Sequence, residues 1–250
     1  MAQILAEPAM WVAIAAALLA GLVRGFSGFG AGLIYIPLAA AVFNPRVAAG
    51  TLFVFDTIII IPLVIRALAH VAWREILPLG IGAIVAVPAG VAVLVYVDPL
   101  PIRWGVSVTV LIAVAVLAAG WRYRGPERLP LSIGIGGLAG FLSGVAQIPG
   151  PPVLIYWLGR DTPAQRMRAN AIVFFCFTTV ISGFAYAVSG VFTSEVAARS
   201  AILLPVYGIA IFTGSRLFGG TSEATYRRVA YALIVFVAIA TLPAFDGILR

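Results

Sequence analysis

The sequence predicts an all-α membrane protein that crosses the bilayer several times. Of its 250 residues, 62% are hydrophobic and only 10% are charged, whereas soluble proteins have about 25% charged residues. The apolar residues form continuous runs, such as 58–61 and 113–117, rather than the alternating strands of a transmembrane barrel. These runs are long enough to cross or approach a hydrocarbon core about 30 Å thick.

Taken in order along the chain, the apolar segments predict about eight to ten membrane elements. Their approximate limits are 9–24, 29–43, 47–68, 76–97, 103–121, 130–146, 151–159, 168–189, 197–219 and 227–245. Segment 151–159 is too short to span, because a helix rises about 1.5 Å per residue. We expect it to form a broken or re-entrant hairpin with 130–146, and segments 9–24 and 29–43 to form an equivalent hairpin. The sequence leaves open whether each hairpin region is re-entrant or fully spanning.

A shared pattern in the two halves of the chain predicts an internal duplication. Gly21 and Gly137 are 116 residues apart, and Gly90 and Gly214 are 124 residues apart. The two offsets differ by only eight residues, so the matching positions keep their order. Each repeat is expected to consist of one hairpin and three transmembrane helices.

The expected boundaries are a first membrane repeat over 1–121, a cytoplasmic linker over 122–129 and a second membrane repeat over 130–250. Because each repeat would cross the membrane an odd number of times, the two repeats would be inverted. One side of the membrane then collects Arg66, Arg74, Arg122, Arg124, Arg128, Arg160, Arg166, Arg168, Arg227 and Arg228, and the other collects Arg46, Arg103, Arg199 and Arg250. This excess places the first side in the cytoplasm, whereas parallel repeats would divide the loop arginines equally.

Two glycine-rich breaks, 25–32 and 143–152, interrupt the apolar segments at matching places. Paired broken helices are typical of substrate sites in membrane transporters. Half-helices that begin there would direct backbone N–H groups and positive dipole ends toward an anion. The candidate substrate-binding residues of the breaks are Ser27, Gly28, Gly30, Gly32, Ser143, Gly144, Gln147 and Gly150. Their glycines also have the small-xxx-small spacing of close helix packing, so packing alone is the alternative interpretation.

A few polar residues are predicted at membrane depth. Asp56 lies near the middle of segment 47–68, where a carboxylate is costly and usually functional. It is the candidate coupling residue, either as the carrier of a proton or as the counterion of an arginine. Arg24 precedes the first break and could attract the anion, pair with Asp56 or extend to the interface. Thr51 and Asn170 could face the cavity or bond a neighbouring helix.

Several functional classes are excluded. All 16 basic residues are arginines, most of them in short loops, a pattern of membrane orientation rather than of nucleic-acid binding. With one histidine and one cysteine, the chain cannot form a metal cluster of the usual composition. No Walker loop or Ser-His-Asp signature occurs. We therefore expect no catalytic residues, no metal and no cofactor.

The glycine-rich first break followed by Leu33-Ile-Tyr-Ile-Pro37, the duplication, and the segment 140–144 through Pro151-Pro152 resemble the sulfite exporter TauE/SafE family of permeases. The resemblance implies a multi-pass secondary transporter in a bacterial inner membrane. Its expected partners are the lipid bilayer, a small sulfur-containing anion such as sulfite or an organosulfonate, and a coupling proton or cation. The direction of transport, the coupling ion and the oligomeric state stay open. So do two alternatives, a membrane-embedded thiol-handling carrier or enzyme that uses Cys176, and a structural membrane subunit.

Overall fold

The computed structural model describes residues 2–121, 123, 125–126, 128–158, 163–217 and 223–245. All regular structure in these ranges is helical, and they contain no strand. The helices are α1 (Ala2–Leu5), α2 (Pro8–Ser27), α3 (Ala31–Val42), α4 (Pro45–Ala67), α5 (Trp73–Tyr96), α6 (Pro99–Ala118), α7 (Leu129–Ala146), α8 (Gly150–Leu158), α9 (Ala164–Val188), α10 (Ser194–Leu217) and α11 (Glu223–Ala240). Short 3-10 turns, Leu68–His70 and Pro243–Phe245, follow α4 and α11.

Helices α2 to α11 correspond one to one with the apolar segments predicted from the sequence. In the part of the chain that the structure describes, 7 helices are long and apolar enough to cross a membrane. The prediction of an all-α polytopic membrane protein is therefore confirmed. Helices α3 and α8 are shorter, with 12 and 9 residues, which correspond to about 18 Å and about 14 Å.

Several helices begin earlier than their apolar segments, because prolines and polar residues in the first turn are not part of a hydropathy pattern. Helix α4 begins at Pro45, where the side-chain oxygen of Asn44 accepts hydrogen bonds from the backbone N–H groups of Arg46 (2.7 Å) and Val47 (3.3 Å). This cap satisfies two free donors of the first turn, and a proline at the first position has no N–H to satisfy. Helix α6 also begins with a proline, Pro99.

Helices α2 and α3 form the first hairpin. Arg199, in the second turn of α10, contacts both of its ends. Its Nη2 lies 2.9 Å from Oε2 of Glu7, which precedes α2, and its guanidinium carbon lies 4.1 Å from the ring centroid of Phe43, which follows α3. The start of α2 and the end of α3 therefore lie at the same end of the bundle, and the first break lies at the tip of the hairpin.

Helices α7 and α8 form the second hairpin. The hydroxyl oxygens of Ser132, in the first turn of α7, and Tyr156, near the end of α8, are 2.5 Å apart. The ring of Tyr123, which precedes α7, stacks on Tyr156 with a centroid separation of 5.8 Å. Helix α8 therefore returns to the end of the bundle where α7 begins. In the predicted linker 122–129, residues 122, 124 and 127 lie outside the described residues.

Glycines allow two pairs of long helices to pack with their backbones in contact. A Cβ atom at Gly136 would overlap the Leu79 carbonyl of α5, and one at Gly90 would overlap the Phe141 carbonyl of α7. We call this contact the α5–α7 seam. In the α2–α10 seam, a Cβ at Gly25 would overlap the Ile211 carbonyl of α10. Such close approach is typical of helix pairs in membranes, where packing and not hydrophobic burial drives association.

The outer surface of the bundle is apolar. Val85 and Phe184 are each 75% exposed, and Val188 is 74% exposed. Large contiguous apolar surfaces are uncommon on soluble proteins. A surface that faces lipid is expected to be apolar, because hydrocarbon cannot form hydrogen bonds with polar groups. The exposed apolar side chains therefore agree with a bundle that is surrounded by hydrocarbon.

We expect Gly136→Ala to lower the free energy of unfolding by about 1–3 kcal/mol, because an added methyl overpacks the seam. Gly134 lies two residues away on the same helix, and a Cβ there has no atom within 4 Å. Gly134→Ala is the matched control, and it should keep or raise stability, since alanine favours helix. Thermal unfolding of the purified variants in one detergent measures the difference, and equal melting temperatures would contradict the described seam.

Candidate functional site

The two breaks meet at one internal cavity of about 40 Å³, which we call the central cavity. The breaks contribute Phe29, Gly30, Ala31, Gly32, Leu33, Gln147, Ile148, Pro149, Gly150 and Pro151 to its lining. A buried water needs about 10–15 Å³ of such volume. The cavity therefore accommodates about three water molecules in this conformation, and it would have to widen to hold a larger ion.

The chain turns at each break through left-handed backbone conformations. Gly28 and Gly30 have φ angles of 77° and 91°, which glycine adopts without a steric penalty. Gln147 ends α7 with φ of 55°, and within the described ranges it is the one non-glycine residue with positive φ. Ser27 ends α2, but its side chain lies outside the described part of the chain.

The breaks touch each other through their backbones. A Cβ atom placed on Gly32 would lie 2.6 Å from the carbonyl oxygen of Gln147 and 3.0 Å from Cγ1 of Ile148. Only glycine therefore fits between α3 and the second break without a shift of the backbone. This contact brings Gly30, Gly32, Gln147 and Gly150, all predicted site residues, around the same cavity.

Both short helices begin at the central cavity. Helix α3 begins at Ala31 and α8 begins at Gly150, and both residues line the cavity. The first turn of a helix has unpaired N–H groups and the positive end of the helix dipole. In α3 the N–H of Leu33 is already bonded to the Gly30 carbonyl at 3.1 Å, but the first turn contains no proline. In α8 two residues of the first turn, Pro151 and Pro152, have no N–H. The start of α3 is thus the better source of backbone donors.

Arg24, Asp56 and Tyr207 form a bonded group on the wall of the cavity. Nε of Arg24 lies 2.8 Å from Oδ1 of Asp56, and the Tyr207 hydroxyl donates to the same oxygen at 2.6 Å. The side chains of Arg24 and Asp56 are 13% and 23% exposed, and both line the cavity. Two donors on one carboxylate oxygen offset part of the cost of removing the charges from water. The structure thus places Asp56 as the counterion of Arg24.

The end of α7 is tied to α9 by a small polar network. The Tyr186 hydroxyl donates to the carbonyl of Gly144 at 2.8 Å, and Nε2 of Gln147 donates to the Ser143 carbonyl at 3.0 Å. Ser143 is buried, and its hydroxyl lies 3.4 Å from that of Ser182. These bonds position the second break and leave Gln147, rather than Ser143 or Gly144, at the cavity wall. A Cβ at Gly144 would overlap the Val87 carbonyl, so this glycine takes part in the α5–α7 seam.

Two other predicted residues lie away from the central cavity and bond neighbouring helices. The Thr51 hydroxyl lies 2.8 Å from the hydroxyl of Tyr35 in α3. Asn170 accepts from the backbone N–H of Ala72 and donates to Glu75, both at 2.8 Å. Both side chains are completely buried. In this conformation they hold α4 against α3 and α9 against the start of α5.

The residues at or beside the site that were not predicted from the sequence include Tyr207, Phe29, Phe175 and Arg168. Tyr207 bonds Asp56, and a tyrosine inside an apolar segment resembles any core aromatic residue. Phe29 and Phe175 face Gly150, where a Cβ would lie 3.8 Å and 3.7 Å from their rings. Nη2 of Arg168 would lie 3.7 Å from a Cβ on Gly28, but in the sequence Arg168 is one of many loop arginines. Among the described residues, no group of His, Cys, Asp and Glu side chains could hold a metal ion.

A polytopic helical bundle with two broken hairpins that meet at an internal cavity is typical of membrane transporters. The sequence profile of the sulfite exporter TauE/SafE family matches residues 13–241. The chain belongs to the sulfite exporter TauE/SafE family.

One curated relative shows how far the similarity extends. The chain is 28% identical over 189 residues to a protein of Cupriavidus necator described as a probable sulfite/organosulfonate exporter TauE. The aligned region covers 72% of this chain and 72% of the relative. No solved structure matches the chain.

Proposed function

We propose that the protein is a secondary transporter that moves a small sulfur-containing anion, such as sulfite or an organosulfonate, across a bacterial inner membrane without catalysing a reaction. The observation that carries this proposal is the meeting of both helix breaks, with Arg24, at the central cavity. The start of α3 directs its N–H groups and its positive dipole end there, and an anion is the ligand that such donors favour. The sulfur chemistry rests on the family and on the described activity of the relative from Cupriavidus necator.

The second part of the proposal is that Asp56 couples transport to an ion gradient. An anion that enters the cavity competes with the Asp56 carboxylate for Arg24, which lies 2.8 Å away. Protonation of Asp56 would release Arg24 to the anion, so that proton and anion would bind together. The polar groups that contact this carboxylate are Arg24 from α2 and Tyr207 from α10, and neither changes its charge near neutral pH.

The third part concerns architecture: residues 1–121 and 130–250 are inverted repeats joined by the linker 122–129. The two seams support this, because α2 of the first repeat packs on α10 of the second, and α7 of the second packs on α5 of the first. Gly90 and Gly214, at the predicted offset, occupy comparable places in the two seams, since a Cβ at either would overlap a carbonyl of the partner helix.

The hairpin contacts support opposite orientations of the two repeats. Helix α4 leaves the end of the bundle where Phe43 contacts Arg199 and crosses to the turn Leu68–His70. The next residues reach Asn170 near the start of α9, and α9 follows the end of the second hairpin. The first hairpin would thus open at one end and the second at the other. Among the described residues, arginines are more numerous at the end of the bundle near Asn170 than at the end near Arg199. This excess favours a cytoplasmic location for the Asn170 end.

We expect proteoliposomes that contain the protein to transport sulfite or an organosulfonate faster than protein-free liposomes do. Gly30→Leu should abolish most of the flux, because the side chain would project from a cavity-lining residue with a left-handed backbone. Gly120→Leu is the control, since Gly120 also has positive φ but its Cβ would meet no atom within 4 Å. Flux of every tested anion at the protein-free level would refute the proposed substrate class.

We expect Asp56→Asn to uncouple or block transport without unfolding the protein. The amide keeps the shape of the carboxylate and an acceptor for Tyr207, but it removes the charge that pairs with Arg24. Initial rates of anion flux are measured with and without a pH gradient, together with the melting temperature. Asp98→Asn, at an exposed carboxylate before α6, should behave as wild type. A response to the pH gradient that persists unchanged in Asp56→Asn would exclude the proton role.

We expect residues 46 and 166, which the proposed duplication pairs, to face opposite sides of the membrane. In a Cys176→Ala background, Arg46→Cys and Arg166→Cys should react with an impermeant thiol reagent from different sides of oriented vesicles. Tyr96→Cys replaces Arg46→Cys if that variant folds poorly, because Tyr96 is 84% exposed and ends α5 near the Arg46 contacts with Leu94 and Val95. Labelling of both positions from one side would rule out inverted repeats.

A further inference from the structure

A second and much larger cavity adjoins the central cavity. Its volume is about 590 Å³, and it shares Arg24, Phe29, Ile60 and Phe175 with the central cavity. A third cavity of about 530 Å³ continues from it, and the two share Ile59, Leu63, Arg66, Arg168 and Ile172. We call these two connected cavities the vestibule. It leads from the cytoplasmic end of the proposed orientation, near His70, toward the central cavity.

The charge of the vestibule is of one sign. Arg66 at the end of α4 and Arg168 near the start of α9 line both of its parts, and Arg24 lines the part nearest the central cavity. Among the residues that the structure describes, no aspartate or glutamate lines either part. The ion pairs between described residues include neither Arg66 nor Arg168. A cleft with one sign of charge and apolar walls focuses its field and raises the local concentration of counterions.

Arg168 lies next to the first break. Its Nη2 and Nε atoms are 3.7 Å and 3.9 Å from the place that a Cβ on Gly28 would occupy. Arg24 is four residues before Gly28 on the hairpin and lines both the vestibule and the central cavity. The arginines therefore form a sequence from the mouth of the vestibule, through Arg168, to the pair of Arg24 and Asp56.

We propose that Arg66 and Arg168 form an anion-capture site in the vestibule, where the sulfur oxyanion binds before Arg24 receives it in the central cavity. The ligand class rests on the proposed function, but the site itself rests on the geometry of the vestibule. Planar guanidinium groups bind oxyanions with paired hydrogen bonds, and Arg66 and Arg168, which pair with no described carboxylate, supply that chemistry here. A lipid phosphate has the same chemistry, so the test has to separate a free anion from a headgroup.

The electrostatic test does not depend on transport. Ser215 lines the vestibule and is exposed, so Ser215→Cys in a Cys176→Ala background provides a thiol probe. Its reaction rates are compared for an anionic sulfonatoethyl and a cationic trimethylammonioethyl methanethiosulfonate. We expect the anionic-to-cationic rate ratio to fall about tenfold or more when Arg66→Gln and Arg168→Gln are combined. Arg166→Gln, an exposed arginine on α9 that lines neither part of the vestibule, is the matched control and should leave the ratio within about twofold.

The transport test separates capture from translocation. For sulfite flux from the vestibule side, the double variant should raise KM about tenfold while the maximal rate stays within about twofold, whereas Arg166→Gln should change neither. If wild-type protein moves neither sulfite nor an organosulfonate, the proposed function fails, but the thiol ratio still decides whether the vestibule concentrates anions. A ratio that is the same in wild type and in the double variant would overturn the capture site.

Lipid composition distinguishes the two sources of anion. Methanesulfonate is the competing anion, because it does not react with thiols or with methanethiosulfonates, whereas sulfite would consume the reagent. We expect the thiol ratio and the protection of Ser215→Cys by methanesulfonate to be the same in vesicles of phosphatidylcholine alone and in vesicles with added phosphatidylglycerol. If phosphatidylglycerol abolishes the anionic preference and methanesulfonate does not compete, the arginines bind headgroups and the capture of free anion is refuted. Protection by methanesulfonate in both lipid mixtures, lost in the double variant, supports the proposal.

Discussion

The constraint on which the structure depends is that hydrocarbon offers no hydrogen bonds to an interrupted helix. A break in a transmembrane helix is tolerated only where protein or a water-filled cavity surrounds the free backbone groups. The chain meets this constraint with glycine: α2 lies directly on α10, and α7 lies directly on α5, with carbonyls where side chains would normally stand. Both breaks then lie inside the bundle, where the backbone of Gly32 touches that of Gln147. The cavity follows from the same packing that hides the breaks.

The pair of Arg24 and Asp56 on the cavity wall meets a similar constraint, which is the cost of a charge at membrane depth. An unpaired arginine at this depth would be costly, and so would an unpaired aspartate. Paired at 2.8 Å, with the Tyr207 hydroxyl on the same oxygen, the two charges stay in place while still bordering the cavity. In the proposed mechanism Asp56 pairs with Arg24 when no substrate is bound. The site would then bind the anion without trapping it, because loss of the Asp56 proton would restore the carboxylate that competes with the anion for Arg24.

The sequence predicted those features that a one-dimensional pattern expresses and missed those that arise from packing. Helices α2 to α11 follow from apolar runs, and the positions of the breaks follow from glycine and proline. Gln147 and Gly30 line the central cavity because α7 ends at the former and α3 begins after the latter, and their role in substrate binding stays a prediction. Thr51 and Asn170 were not distinguishable from cavity residues, since their partners, Tyr35 and Glu75, lie on other helices. Tyr207 and Arg168 were missed for the same reason, because the contacts that give them significance link distant parts of the chain.

Arg199 has a consequence for how the molecule can move. It joins both ends of the first hairpin to α10, and the α2–α10 seam joins the length of the hairpin to the same helix. The hairpin and α10 are therefore held together as one piece, although about 150 residues separate the end of α3 from the start of α10 in the chain. Helices α5 and α7 form a second such piece, which Tyr186 fastens to α9. The two pieces face each other at the contact of Gly32 with Gln147, so a separation there would widen the central cavity while both seams stay intact.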